Sequence, residues 1–244
     1  ELCIEAAQAG LKAKAELHPE DISLYIGIPF CPTRCAYCSF VSQAVEKSFG
    51  LMEPYLEVLL GEITRAAQMV EDLGLHIKSF YMGGGTPTTL SAGQMDRLLT
   101  HLNRSFDLSH CAEYCIEAGR PDTIDREKLQ VLLDHGCDRI SVNPQSLEDS
   151  VLQAIGRRHT AADIEQTMGL ATSMGFKHVN MDLIAGLPAD TPEGFRASLD
   201  QVLSLGPENV TVHTLALKKG SRLTLEKNGA LPAPEDPSPA HRGE

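Results

Sequence analysis

Tryptophan is absent from this chain of 244 residues, and all aromatics together make up 5% of it, so side chains that stack on bases are scarce. Basic residues are few as well. Lys and Arg number 21 against 33 Asp and Glu, a formal net charge of −12 at pH 7. No run of Lys or Arg is longer than a pair. The electrostatic footprint of a nucleic-acid binder is missing, and no nucleic-acid partner is expected. No apolar run reaches the roughly 18 residues of a membrane helix, so no membrane span is expected. The opening Glu1-Leu2-Cys3-Ile4-Glu5 has neither the basic start nor the long apolar core of a secretory signal, and it reads as an abrupt rather than natural beginning. Seven cysteines, an odd count in a chain too long to need staples, argue against a disulfide framework. Free thiols without a signal point to a reducing cytoplasm, and a monomer is expected.

What is present is ordinary globular material, 42% apolar and 22% charged, in which strand and helix patterns alternate. Residues 1–22 read as an N-terminal amphipathic helix ending near His18-Pro19, with Leu2, Ala6, Ala9 and Ala13 on one face. Strands are expected over 24–28, 78–82, 113–117, 139–143, 178–184 and 209–217. Helices are expected over 51–73, 91–103, 123–135, 160–174 and 192–205. Strands separated by helices imply right-handed crossovers and a parallel sheet, whose nearly continuous apolar strands suit a sheet covered on its faces. An open doubly wound sheet and a partial barrel both fit this α/β pattern. The core is expected over 23–223, and the proline-rich 224–244 is expected to be a disordered tail.

The chemistry concentrates where the first strand ends, in Pro29-Phe30-Cys31-Pro32-Thr33-Arg34-Cys35-Ala36-Tyr37-Cys38. Thiolates on a short loop are the usual holders of iron–sulfur clusters. Three of them can hold three irons of a four-iron cluster and leave the fourth open to chemistry. The same spacing also fits a helical stripe of core residues, but Pro29 and Pro32 oppose a helix. A zinc site would want a second Cys or His pair nearby, and none follows Cys38 closely. Cys3, Cys111, Cys115 and Cys137 read as small buried residues, and His101, His110 and His135 as solvent-facing.

Other strand ends carry polar groups too. Gly83-Gly84-Gly85-Thr86-Pro87 would let a ligand approach the backbone and leave amides free to bind it. Glu117 and Asp182 are carboxylates inside apolar runs, costly to bury unless something pairs with them. Asn143-Pro144-Gln145, Gly156-Arg157-Arg158-His159 and Asn180-Met181-Asp182-Leu183-Ile184-Ala185-Gly186-Leu187-Pro188 complete the set.

These motifs, in this order, resemble the radical S-adenosylmethionine superfamily, and within it the oxygen-independent coproporphyrinogen III oxidase group. Tyr25-Ile26-Gly27-Ile28-Pro29-Phe30-Cys31 and Glu117-Ala118-Gly119-Arg120-Pro121-Asp122 look most like its HemZ branch of coproporphyrinogen dehydrogenases. The resemblance implies a partial (β/α)6 TIM-like barrel and a [4Fe-4S] cluster on Cys31, Cys35 and Cys38. It also implies S-adenosylmethionine near Tyr25, Tyr37, Gly84 and Glu117, with Gly85, Thr86, Gln145, Arg157, Asp182 and Ala216 matching positions that bind a second such molecule. The implied activity is oxidative decarboxylation of a porphyrinogen propionate by a 5′-deoxyadenosyl radical, in haem biosynthesis. A low-potential electron donor such as flavodoxin or ferredoxin would be the partner. Two positions depart from the oxidases proper, which carry a cysteine where Phe40 stands and a histidine where Gly27 stands. Phe40 is similar to the haem-chaperone relatives, so haem delivery is the alternative, and a radical reaction on another substrate a third. The family's C-terminal domain is expected to be absent from this stretch of sequence.

Overall fold

The computed structural model describes residues 2–40 and 43–225. The stretch expected to be a disordered tail lies outside them, apart from positions 224 and 225, which close a short helix, Arg222–Leu225.

Six parallel strands form one sheet in sequence order: β1 (Asp21–Ile28), β2 (His76–Gly84), β3 (Glu113–Glu117), β4 (Arg139–Gln145), β5 (His178–Ala185) and β6 (Asn209–Thr214). Sequential neighbours joined through helices give each crossover the same sense, so the sheet curls instead of lying flat. Among the described residues no ladder joins β6 back to β1, and the barrel is open along that side.

The first helix, α1 (Leu2–Ala15), is shorter than expected, and residues 3–20 are exposed throughout, so Ala6, Ala9 and Ala13 of the expected apolar face are uncovered. Helix α2 (Met52–Asp72) buries Leu56, Leu59 and Ile63 on one stripe against the sheet. The helices α3 (Ala92–Ser105), α4 (Arg126–Asp134), α6 (Ala161–Ser173) and α7 (Pro192–Ser204) each begin at a side-chain cap: Ser91, Asp125, Thr160 and Thr191. Such caps satisfy amides that the first turn leaves unpaired. A short helix, α5 (Asp149–Ala154), was not expected; six residues hold too little periodicity to read. Helix α4 starts after the expected Thr123, because Pro121–Thr123 forms a separate 3-10 turn and Asp125 makes the cap.

The strands alternate where continuous apolar runs were expected. Ile140 and Val142 of β4, and Val179, Met181 and Leu183 of β5, join the core beneath the helices. Ser141, Asn143, Asn180 and Asp182 occupy the intervening positions. Successive side chains point to opposite faces, so this pattern sends apolar groups outward and polar groups into the barrel.

Cys115 and Cys137 are buried as expected and Cys111 partly so, but Cys3 is exposed, because it lies on the uncovered α1. His101 and His135 do not simply face solvent. His101 Nε2 lies 3.0 Å from the Leu60 carbonyl, and His135 Nε2 lies 2.8 Å from Asp96 Oδ1, tying neighbouring helices together.

Candidate active site

A cavity of about 630 Å³ opens at the C-terminal ends of the strands. Its lining includes all thirteen residues singled out from the sequence: the three loop cysteines with Tyr25, Tyr37, Gly84, Gly85, Thr86, Glu117, Gln145, Arg157, Asp182 and Ala216. Polar groups scattered over nearly 200 positions meet there because a parallel barrel sends every strand end to one mouth.

The cysteine loop is anchored from three sides. Phe30 and Cys31 pair in parallel with the backbone of Gln43–Ala44. The Gly85 and Thr86 amides donate to the Ile28 and Phe30 carbonyls, both at 2.7 Å, and Thr86 Oγ1 lies 3.5 Å from Cys31 Sγ. These amides were expected to be free for a ligand. They are spent holding the loop instead, and a Cβ on Gly85 would lie 2.6 Å from the Phe30 carbonyl oxygen. The glycine therefore permits backbone to meet backbone. On the third side, Arg120, 2% exposed, donates to the Thr33 carbonyl at 3.1 Å and to Thr33 Oγ1 at 2.8 Å. Its remaining nitrogens form a fork on Asp122, both bonds 3.1 Å.

Charge around the thiols is uneven. Burial opposes ionisation of Cys35, but the Arg157 and Arg120 guanidiniums outweigh it and hold this thiol below its usual range. Cys31 is pushed up, chiefly by burial, although the Thr86 hydroxyl works the other way. Arg157 Nη2 donates to the Tyr37 hydroxyl at 3.2 Å, and Nη1 donates to the Asn143 carbonyl. Burial keeps Tyr37 protonated well beyond its ordinary range. Glu117 is raised to about 7, first by burial and then by Asp182.

A belt of hydrogen bonds crosses the inner face of the sheet. Asn143 Nδ2 donates to Glu117 Oε1 at 2.7 Å, and Ser141 Oγ donates to Asn143 Oδ1 at 2.7 Å. Asn180 Nδ2 reaches Ser141 Oγ at 2.9 Å and Asp182 Oδ1 at 2.6 Å. Buried polar groups arranged this way rigidify one geometry. Tyr25 and Tyr81 stack beside the belt, ring centroids 6.1 Å apart. Two buried atoms in the cavity wall, Gln145 Oε1 and Arg157 Nε, have no partner among the described residues, and the Gln145 backbone adopts φ 71°. An unsatisfied acceptor held on strained backbone is what a missing ligand leaves behind.

The donor set fits an iron–sulfur cluster with an organic ligand beside it. Among the described residues no three His, Cys, Asp or Glu side chains converge as one metal ion would require, but a cluster takes its thiolates on separate irons. The model for the Radical SAM superfamily matches residues 25–202. The chain belongs to that family. Its members use a [4Fe-4S] cluster and S-adenosylmethionine. The chain is 43% identical over 210 residues to the oxygen-independent coproporphyrinogen-III oxidase-like protein HemZ of Bacillus subtilis, covering 86% of this chain and 42% of that one. It is 34% identical to the haem chaperone HemW of the same organism, covering 87% and 55%. The solved structure of coproporphyrinogen III oxidase (HemN) from Escherichia coli, a radical SAM enzyme, superposes with a TM-score of 0.77 at 31% identity, covering 93% and 52%. The chain thus spans about half the length of the relatives it matches. These similarities place it in the HemN, HemZ and HemW group of radical SAM proteins.

Several structural members of the site lay within motifs noted in the sequence without being assigned a role. Arg120 sat inside a quoted motif, yet a lone arginine gives no sign that it will be buried. Asn143 and Asn180 had one available signal, a polar residue at every second position of a strand.

Proposed function

We propose that this chain is the core of a radical enzyme that oxidatively decarboxylates the propionates of coproporphyrinogen III. The observation that carries the reading is the meeting of Cys31, Cys35 and Cys38 with Glu117, Arg157 and Asp182 around one cavity. The three thiolates would hold the cluster. Glu117, half-buried and lining the cavity, suits the ammonium group of S-adenosylmethionine, while Tyr25, Tyr37 and Gly84 would flank that molecule. Gln145, Thr86, Gly85, Arg157, Asp182 and Ala216 would take a second one. When bound, the cluster and S-adenosylmethionine supply a carbon-centred radical able to remove a hydrogen atom from substrate. This chain's residues supply placement and a dry wall. At the open side, His213 and Lys218 line the cavity; Lys218 offers a cationic partner to a substrate carboxylate and His213 a hydrogen-bonding ring.

The second reading, haem delivery without oxidase turnover, draws support from Phe40. It lines the cavity 64% exposed, where the oxidases carry a cysteine, and 34% identity to a haem chaperone accompanies it. An anaerobic assay of the full-length protein with dithionite, S-adenosylmethionine and coproporphyrinogen separates the two. Protoporphyrinogen formation is the expected result. Tight haem binding with no porphyrinogen turnover would replace the first reading with the second.

A further inference from the structure

Two arms of chain hold the cysteine loop, and they meet in a group of charged and polar side chains outside the cavity. One arm spans residues 120–123, just beyond β3, where Arg120 clasps Thr33. The other spans residues 155–159. Its Ile155 carbonyl accepts the Ala36 amide at 2.9 Å, and its Gly156 carbonyl accepts Thr33 Oγ1 at 3.0 Å. The arms come together at Asp122 and His159. Asp122 Oδ1 accepts from Arg120 Nε at 3.1 Å and lies 3.6 Å from His159 Nδ1. The His159 side chain has no exposed surface, the Arg120 side chain is 3% exposed and that of Asp122 24%. Helix α6 packs against the Pro121–Thr123 turn that carries the aspartate. Neither Asp122 nor His159 is among the residues lining the cavity.

We propose that Asp122, backed by His159, is a positioning residue that sets how easily the iron–sulfur site is reduced, by fixing and partly neutralising the Arg120 guanidinium. The inference rests on the radical-enzyme reading above. Reduction adds one electron at the site; no proton moves and no bond is made or broken. A fixed cation beside the thiolates favours the added charge, and an anion paired with that cation offsets part of the gain. Arg120 reaches the loop in this sense, since its charge favours the ionised form of both Cys31 and Cys35. The two bonds to Asp122 hold the guanidinium in one plane, so the source of that field stays put. His159 fills the space beside the carboxylate without adding charge. Burial, helped by the Arg157 guanidinium, holds its ring below the usual range, so it is neutral at pH 7 and above. Solvent screens part of the Asp122 charge, which keeps the effect modest.

The test uses the full-length, cluster-loaded protein and four variants: Asp122→Asn, Arg120→Gln, the double change and His159→Gln. Each is equilibrated with dithionite and redox mediators at one potential, that of half-reduction in the wild type. The ratio of reduced to oxidised cluster is read by electron paramagnetic resonance, with iron content and circular dichroism recorded alongside. Asp122→Asn is expected to raise the ratio at least about threefold and Arg120→Gln to lower it at least about threefold. The double variant and His159→Gln should both stay within about twofold of the wild type. A clamp of purely structural value would cost iron in every variant without moving the ratio in opposite directions. Unchanged ratios in the two charge variants, or shifts of the same sign, would overturn the proposal. So would a fall in His159→Gln equal to that in Arg120→Gln, which would make the ring the cation that Asp122 matches. Loss of the cluster from Asp122→Asn, whose amide can still accept from Arg120, would overturn it too. If Arg120→Gln takes up no iron, Asp122→Glu decides: its ratio should match the wild type, and a rise equal to that in Asp122→Asn would overturn the proposal. A wild-type protein without any cluster would overturn the radical-enzyme reading and this inference with it, an outcome distinct from every ratio above.

Discussion

The electrostatic settings of two of the thiols differ in sign: burial holds Cys31 as the thiol, while buried guanidiniums favour the thiolate at Cys35. Its charge is matched by Arg157 and Arg120, both buried. Replacing it with alanine (Cys35→Ala) should leave the helical signal in circular dichroism intact and abolish the brown absorbance of an anaerobically reconstituted sample; retained absorbance would count against the ligand set. Glu117 gives a second prediction at this scale. With burial and Asp182 raising it to about 7, its carboxyl is largely neutral below that pH and cannot pair with an ammonium group. Affinity for S-adenosylmethionine should therefore rise as pH increases from 6 to 8, by up to about tenfold per unit on the acid side, since binding releases one proton. The Glu117→Gln variant should show a flat profile. An equal slope in that variant would assign the proton to another group.

Among the elements, the junction between the end of β2 and the cysteine loop governs how the thiols are held. Gly85→Ala would push a Cβ into the Phe30 and Ile28 carbonyls, 2.6 and 2.8 Å away. Overpacking of this kind costs about 1–3 kcal/mol. The expected outcome is a lower melting temperature together with reduced iron content, while Gly93→Ala, where nothing lies within 4 Å, serves as the neutral control. This junction also marks how far the sequence could be read. Strand and helix order was legible, because each long element carries a full apolar stripe and several carry caps. The cysteine loop was legible because its spacing is chemical. What escaped was pairwise: the Gly85 and Thr86 amides turned inward to the loop, and Arg120, just beyond β3, reached Thr33 across 87 positions. Contacts of that range depend on how the sheet curls, and local pattern carries no record of it. The inner polar belt was hidden for a related reason. Its alternation becomes meaningful only once one face of the sheet is known to line a lumen.

For the molecule as a whole, the open side of the barrel limits what this chain does alone. Tyr25 is 58% exposed although it lies on the inner face, and Val212 on edge strand β6 is 49% exposed. Water that reaches the interior weakens every charge interaction there and competes for reactive intermediates. The 244-residue chain, tested by itself, should cleave S-adenosylmethionine slowly and convert little porphyrinogen, as product chromatography would show. Tightly coupled turnover by this chain would mean that the cavity is closed in solution.

The central claim is that one iron of the cluster has no ligand from the protein. Electron paramagnetic resonance of the dithionite-reduced, reconstituted protein tests it most directly. Adding S-adenosylmethionine should shift the cluster signal, and the signal should vanish in each of the three single cysteine variants, Cys31→Ala, Cys35→Ala and Cys38→Ala. A signal that ignores S-adenosylmethionine, or a four-iron cluster that survives loss of any one of these thiols, would contradict it.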